Sequence, residues 1–178
     1  MAASATFDWY GLVNDDSIEQ GDFFFQCRVI GSTSKVIEGA QPTIEAELHD
    51  YDVIVMSQSC DLVHDKLQAA LVCPTWSLSE AAKARRMFSN PKDCEAIRRG
   101  DVPGYHMLNA CSLAGFAWGE VRVASFRQIY SVPLDYLRER AKDRPRVRLL
   151  PPYREQLAQA FARYFMRVGL PVDIPPFK

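Results

Sequence analysis

The stretch "VIVMSQSCDL", residues 53–62, decides the fold that the sequence predicts. It opens on a continuous apolar run rich in β-branched side chains, which is typical of a strand covered on both faces. Polar and thiol-bearing residues then lead to a carboxylate, Asp61. The stretch therefore predicts a central buried strand whose end, residues 57–61, is either a turn or a reactive site.

Further strand-like segments lie on both sides of this stretch. Upstream, residues 21–32 ("GDFFFQCRVIGS") are rich in aromatic and β-branched residues, and residues 43–50 ("TIEAELHD") alternate apolar with polar side chains, as a half-buried strand does. Downstream, residues 67–76 ("LQAALVCPTW") form another apolar run, and in "GEVRVASFRQIY" the valines alternate with Arg122, which places that arginine on the polar face. Together these segments predict a small, mostly antiparallel β-barrel.

Helical signals follow the first strands. Residues 77–100 open with Ser77 or Ser79 as a candidate N-cap, restart at Pro91 and end at Gly100, which predicts two short inserted helices.

The last element has the clearest pattern. Residues 151–171 ("PPYREQLAQAFARYFMRVGLP") place their apolar side chains on one stripe and end at Gly169, which predicts an amphipathic helix of about four turns. Its apolar face should cover the barrel or a second copy of the chain, so a homodimer through this helix is one hypothesis. The sequence thus predicts a single α+β domain, residues 1–178, with barrel segments at about 20–76 and 104–133, a helical insertion at about 77–100 and a C-terminal helical part at about 134–170.

Composition sets limits on the class of protein. The chain has 178 residues, of which 48% are hydrophobic and 24% charged, as expected for a globular domain. It contains no apolar run of the roughly 18 residues that a membrane span needs, and its acidic start differs from a signal peptide. Its five cysteines are scattered without a CxxC pair. We therefore expect a cytoplasmic protein with reduced thiols, no membrane association and no cofactor.

Charge is distributed unevenly along the chain. Residues 1–61 carry eleven acidic residues against two basic ones, whereas residues 138–167 carry nine basic residues against three acidic ones. The basic segment also contains interleaved tyrosines, a combination that can bind nucleic acid. The alternative is that the two oppositely charged ends attract each other within the fold. The candidate nucleic-acid-binding residues are Arg144, Arg146, Arg148, Arg154, Arg163 and Arg167.

A nucleophilic site is one interpretation of the end of the central strand. Cys60 would be the nucleophile, His64 its base, and Asp61 or Asp65 the residue that orients the base. A plainer interpretation makes Cys60 a small buried side chain and Ser-Cys-Asp a turn.

A zinc site is a further alternative at the same place. It would combine Cys60 and His64 with Cys73 and His49, but the close paired spacing of structural zinc ligands is missing, so we expect no metal.

Three segments of the chain carry a resemblance to a known family. The order "QGDFFF", "YDVIVMSQSCD" and "AALVCPTW", within residues 20–76, resembles the N-terminal core of the PemK/MazF-like toxins, small bacterial proteins with an SH3-like β-barrel. The resemblance implies an endoribonuclease with Thr75 as the catalytic threonine. The arginine that the family pairs with it would fall in "AELHDYD", residues 46–52, which contains no arginine and carries carboxylates that would repel a phosphate.

Several functions are compatible with these patterns. The leading hypothesis is a binding or accessory module with an SH3-like barrel, of a toxin–antitoxin or phage-defence type system, with a protein or a nucleic acid as its partner. One alternative is a PemK/MazF-like endoribonuclease or another RNA- or DNA-binding protein, and a second is a Cys60-dependent hydrolase. The sequence leaves open whether the protein is an enzyme.

Overall fold

The computed structural model describes residues 7–31, 35–37, 43–64, 66–143 and 145–166. These residues form ten strands, five α-helices and one 3-10 helix. The strands are β1 (Tyr10–Val13), β2 (Phe23–Ile30), β3 (Lys35–Ile37), β4 (Thr43–Glu45), β5 (Leu48–Val55), β6 (Ala69–Ser77), β7 (Tyr105–Leu108), β8 (Arg122–Ser125), β9 (Tyr130–Pro133) and β10 (Arg146–Leu149). The helices are α1 (Ser59–Val63), α2 (Leu78–Ala84), a 3-10 helix (Arg86–Ser89), α3 (Pro91–Arg98), α4 (Leu134–Asp143) and α5 (Tyr153–Phe165). The predicted α+β class is confirmed.

The main sheet is antiparallel and open. Its strand order is β2-β5-β6-β8-β7, and β9 pairs with the first half of β6. The outer edge of β6 is thus divided between β9, at residues 69–72, and β8, at residues 75–77. The predicted barrel is wrong: the main sheet is open, because no described strand joins β7 back to β2.

A two-stranded ribbon connects the two ends of the chain. β1 pairs antiparallel with β10, and the bridge between Asp22 and Arg148 joins this ribbon to the start of β2. Gly21 lies at the junction with φ +87°, and a Cβ atom there would come within 3.0 Å of the Leu149 side chain. A side chain at residue 21 would therefore suffer from both its backbone conformation and the lack of space.

The central strand β5 is covered on both faces, as predicted. Val53 and Val55 pack on one face in a cluster that includes Leu137 of α4. Ile54 packs on the other face in a cluster that includes Leu157 of α5. All five side chains are 0% exposed, and burying each one stabilises the fold by about 1.5–3 kcal/mol.

The segment 43–50 differs from its prediction. The alternating pattern predicted that its apolar side chains point inward, but β4 pairs with β3 in a separate two-stranded hairpin whose described residues are exposed. Ile44 is 70% exposed and Leu48 is 57% exposed. Alternation indicates a buried face only where another layer packs on the strand, and none of the described elements covers this hairpin.

The inserted helices begin at the predicted residues, and α3 ends just before Gly100 as predicted, but α2 ends at Ala84 and the 3-10 helix follows it. Ser77 caps α2 in a capping box with Glu80, Asn90 and Pro91 start α3, and Gly100 follows its end with φ +82°.

The C-terminal helix α5 covers the chain's own core. The Phe161 ring packs edge-on against Phe126, with 5.3 Å between the ring centroids. The helix ends at Phe165 with Met166 as its C-cap, before the predicted end at Gly169, which lies outside the described residues. Among the helices that the structure describes, none is long and apolar enough to span a bilayer.

Candidate functional site

The polar stretch after β5 is tied into the fold through its serine hydroxyls. Ser57 is buried, and its Oγ accepts a 2.9 Å hydrogen bond from the N–H of Leu71 in β6. Ser59 Oγ accepts one of 3.1 Å from the N–H of Gln20. The predicted turn is instead the short helix α1, because the N–H groups of Asp61 and Leu62 both donate to the carbonyl of Gln58, at 3.1 and 3.2 Å. These hydroxyls therefore have structural roles.

The Cys60 group is exposed and only partly assembled. The Cys60 Sγ lies 3.8 Å from the Asp61 carboxylate, which forms an ion pair of 3.3 Å with Lys66. His64 is exposed at the end of α1, and within the described residues it makes no hydrogen bond to the thiol or to Asp61. Asp65 lies outside the described residues. A nucleophile held by its base is thus not formed here, and the catalytic role of Cys60 stays a prediction.

Thr75 lies beside Arg122, a partner that the sequence did not predict for it. The Thr75 hydroxyl donates to the backbone carbonyl of Asp52 at 3.3 Å and accepts from Arg122 Nε, also at 3.3 Å. Arg122 Nη2 bonds to the Asp52 carboxylate at 2.7 Å and to the Thr75 carbonyl at 3.1 Å. The cluster joins β5, β6 and β8 on one face of the sheet. Thr75 is 1% exposed, so its hydroxyl serves this network.

Arg122 is buried, contrary to its predicted position on the polar face of its strand. It is 7% exposed, because the Asp52 carboxylate and the two polar groups of Thr75 give its guanidinium partners inside the fold. The sequence signal that could have located it is an arginine between two valines in a strand, which marks either a solvent face or a buried ion pair.

Aromatic rings surround this ion pair. The Arg122 guanidinium lies 5.8 Å from the ring centre of Phe25 and 5.6 Å from that of Trp118. With Phe116, these side chains and Asp52 line a cavity of about 310 Å³, which we name the aromatic pocket.

A bulge in β2 aims Phe25 at this pocket. The pairing of β2 with β5 shifts register between Phe24 and Cys27, and Gln26 adopts φ +53°. The N–H of Gln26 donates to the Asp52 carboxylate at 3.0 Å, so the bulge and the ion pair hold each other in place.

The basic segment is largely paired with the acidic N-terminal half. Arg146 Nε donates to the Asp22 carboxylate at 2.8 Å, and Arg148 Nη2 does so at 3.0 Å. Arg148 also forms an ion pair with Glu19. Asp22 is 0% exposed. Burial acts to lower the pKa of Arg148, but Asp22 and the other nearby carboxylates raise it above its usual value. These guanidinium groups are occupied by contacts within the chain.

The other predicted nucleic-acid-binding arginines differ in their surroundings. Arg154 lies between Glu19 at 3.4 Å and Glu155 at 3.0 Å. Arg163 is exposed on α5 and has no ion-pair partner within the described residues. Arg144 and Arg167 lie outside the described residues. Binding of nucleic acid by this segment stays a prediction, and most of its described charge already has an internal partner.

A second cavity, of about 420 Å³, lies between the main sheet and the inserted helices. We name it the sheet–helix cleft. Tyr51, Trp76 and Tyr105 line it from the sheet, and Phe88 lines it from the 3-10 helix of the insertion. It is on the sheet face opposite the aromatic pocket, because neighbouring residues of a strand point to opposite sides and Tyr51 precedes Asp52.

The charge of the sheet–helix cleft is positive at its rim. Arg85 and Arg127 are exposed there, and neither forms an ion pair within the described residues. Arg127 lies over the Tyr105 ring at 5.1 Å. Glu80 is the acidic side chain among the described residues that line the cleft, and the Ser77 backbone N–H holds the pKa of that carboxyl below its usual range. Its carboxylate is therefore committed to the helix cap.

Known metal ligands do not cluster in this part of the molecule. Among the described residues, no three His, Cys, Asp or Glu side chains lie together as a metal site requires. Cys73, one member of the zinc alternative, is 0% exposed, and burial raises the pKa of its thiol to about 12.

A scan against protein-family models and a search of curated proteins found no match to the chain.

Proposed function

We propose that the chain is a binding module for single-stranded nucleic acid, and that the sheet–helix cleft is its binding site. The observation that carries the proposal is the combination of exposed, unpaired Arg85 and Arg127 with Trp76 and Tyr51 in one cleft. Arginines bind phosphates, and aromatic rings stack on unpaired bases.

The size and charge of the cleft support this ligand. A volume of about 420 Å³ falls in the range of small-molecule sites and suits one nucleotide unit. The single carboxylate among its described lining residues is held in the capping box with Ser77, so it competes little with a phosphate. The basic segment of the chain is a weaker candidate, because Arg146 and Arg148 are already paired with Asp22.

The test is binding of fluorescein-labelled single-stranded RNA and DNA, followed by anisotropy at about 50 mM salt and upward. We expect Arg85→Ala and Arg127→Ala each to weaken binding severalfold and to reduce the salt dependence by about 0.7 in the log–log slope, one phosphate contact each. Trp76→Leu should weaken binding by about 5- to 150-fold through lost stacking.

The matched control is Arg98→Ala. Arg98 is an exposed arginine of the same helical insertion, but it is paired with Glu95 at 2.7 Å. Its replacement should leave binding unchanged. Binding that does not weaken with salt, or that is equally affected by Arg98→Ala and Arg127→Ala, would refute the cleft as the site.

A second candidate function is a PemK/MazF-like endoribonuclease. The observation in its favour is that Arg122 Nε contacts the Thr75 hydroxyl at 3.3 Å, which supplies the arginine that residues 46–52 lack. It ranks second because Thr75 is 1% exposed. An RNA-cleavage assay tests it: Thr75→Ala should abolish cleavage and Cys60→Ala should not, whereas loss in Cys60→Ala alone would favour the Cys60-dependent hydrolase.

The finer family assignment also remains a proposal. The three strands that carry the PemK/MazF resemblance, β2, β5 and β6, are consecutive antiparallel neighbours in the main sheet, which supports an SH3-like origin for this sheet. A role beside a protein partner in a toxin–antitoxin or phage-defence system, and a homodimer through α5, rest on the sequence patterns alone.

A further inference from the structure

The aromatic pocket has features of a second binding site, separate from the sheet–helix cleft. Its walls are the rings of Phe25, Phe116 and Trp118, each half-buried, and its floor is the ion pair of Asp52 with Arg122. Among the described residues, no side chain lines both cavities.

The ion pair retains unused hydrogen-bonding capacity. Arg122 donates through Nε and Nη2, while its Nη1 makes no hydrogen bond within the described residues. Every described buried side-chain nitrogen and oxygen has a partner, so this Nη1 is open to the pocket. The Asp52 carboxylate accepts one bond from Arg122 and one from Gln26, and its side chain is 23% exposed. Since a carboxylate has about four acceptor positions, about two remain.

The charge of the floor selects the kind of ligand. An anion at Arg122 would meet the Asp52 carboxylate, and a cation at Asp52 would meet the guanidinium. A neutral group that carries an acceptor beside a donor can bind both without either repulsion. The three rings in turn suit a flat ligand with π-faces.

We propose that the aromatic pocket binds a planar lactam, a neutral ring with a C=O beside an N–H, and that guanine is the base it takes. The guanine O6 accepts from Arg122 Nη1, and its N1–H and N2–H donate to the Asp52 carboxylate. The base stacks against the aromatic walls, as bases do in single-strand recognition. Adenine offers one donor on the same edge, so it makes one bond fewer to Asp52.

The test is a ligand-observed NMR titration with guanosine and adenosine. Neither nucleoside carries a phosphate, so the phosphate contacts proposed for the sheet–helix cleft are absent, and the variants of the aromatic pocket decide whether the binding belongs to that pocket. We expect guanosine to bind with a Kd below about 1 mM and at least about tenfold more tightly than adenosine. Asp52→Asn should abolish that preference.

A second variant keeps the proposal testable if Asp52→Asn unfolds. Phe116→Ala removes a wall of the pocket without touching the ion pair, and it should weaken guanosine binding about tenfold in a protein that still folds. The control is Phe165→Ala, because Phe165 lies on α5 and is 59% exposed. This variant should bind guanosine as the wild type does. Absence of guanosine binding, equal binding of adenosine, or equal effects of the two phenylalanine variants would overturn the proposal.

Discussion

The replacement Asp22→Asn should destabilise the protein more than any other single charge removal among the described ion pairs. Asp22 lies where β10 meets the start of β2, and it is 0% exposed. Its carboxylate accepts hydrogen bonds from both Arg146 and Arg148, and from the N–H of Glu19 at 3.0 Å. Asparagine keeps the size of the side chain but removes the charge that two guanidinium groups face.

The size of the expected loss of stability follows from the burial of Asp22 and of both its arginine partners. Removing one partner from a buried ion pair costs about 3–5 kcal/mol, because the other charge is left without compensation. Here the side chains of Arg146 and Arg148 are 4% and 11% exposed, so water can replace little of the lost interaction. We expect a loss of about 4 kcal/mol from a total stability of about 5–15 kcal/mol.

The measurement is the free energy of unfolding in urea at neutral pH. Asp50→Asn is the matched control: it removes the same kind of charge from an ion pair with Arg28, but those side chains are 43% and 61% exposed. Exposed pairs contribute little, so the control should unfold as the wild type does. An Asp22→Asn protein within about 1 kcal/mol of wild type would refute the view that this network joins the chain's two ends.

Three further predictions concern other parts of the fold. Burial lowers the pKa of His106 to about 4, so as pH falls the unfolded chain takes up the proton before the folded chain does. Up to about 3 kcal/mol of stability should therefore be lost between about pH 6.5 and pH 4. Urea unfolding of His106→Phe should not show this loss. Cys60 is exposed whereas the buried Cys73 thiol has a pKa raised to about 12, so a disulfide reagent should modify Cys60 first, and Cys60→Ser should remove the fast phase. Ser77→Ala breaks the capping box of α2 and should lower the free energy of unfolding by about 1 kcal/mol; an unchanged value would mean that packing alone holds α2.

Local signals in the sequence predicted local structure well. The apolar run of β5 correctly indicated a strand covered on both faces, and Ser77, Pro91 and Gly100 correctly marked the ends of the inserted helices. In each case the cause is a property of the residue itself: β-branching, a cap side chain, a fixed φ or the absence of a Cβ.

Such local signals could not predict contacts between distant parts of the chain. The pairing of β1 with β10 joins residues about 130 positions apart, and no periodicity within either segment specifies the other. The charge asymmetry did contain the information, since attraction between the two ends was one of its two interpretations. Choosing between them required knowing that Arg146 and Arg148 are buried, which depends on tertiary packing.

The candidate site also depends on a contact between distant parts of the chain that the sequence did not predict. The PemK/MazF resemblance implies Thr75 as a site residue and an arginine within residues 46–52, where the sequence has none. In the structure the arginine that contacts Thr75 is Arg122 of β8, which lies beside β6 in the sheet although 47 positions separate the two residues in the chain. An antiparallel sheet can place a side chain beside Thr75 from any neighbouring strand, so spacing along the sequence does not predict which arginine lies there.

Alternation along two strands, β5 and β8, explains how one sheet can present two different cavities. On β5, Tyr51 faces the sheet–helix cleft and Asp52 the aromatic pocket; on β8, Ser125 faces the cleft and Arg122 the pocket. The two sites therefore share backbone but no described side chain. Replacing Asp52 should change guanosine binding and leave oligonucleotide binding in the cleft intact, and replacing Arg127 should do the reverse. If each replacement impaired both ligands equally, the strands themselves would have moved, and neither cavity could be assigned its ligand from side-chain chemistry.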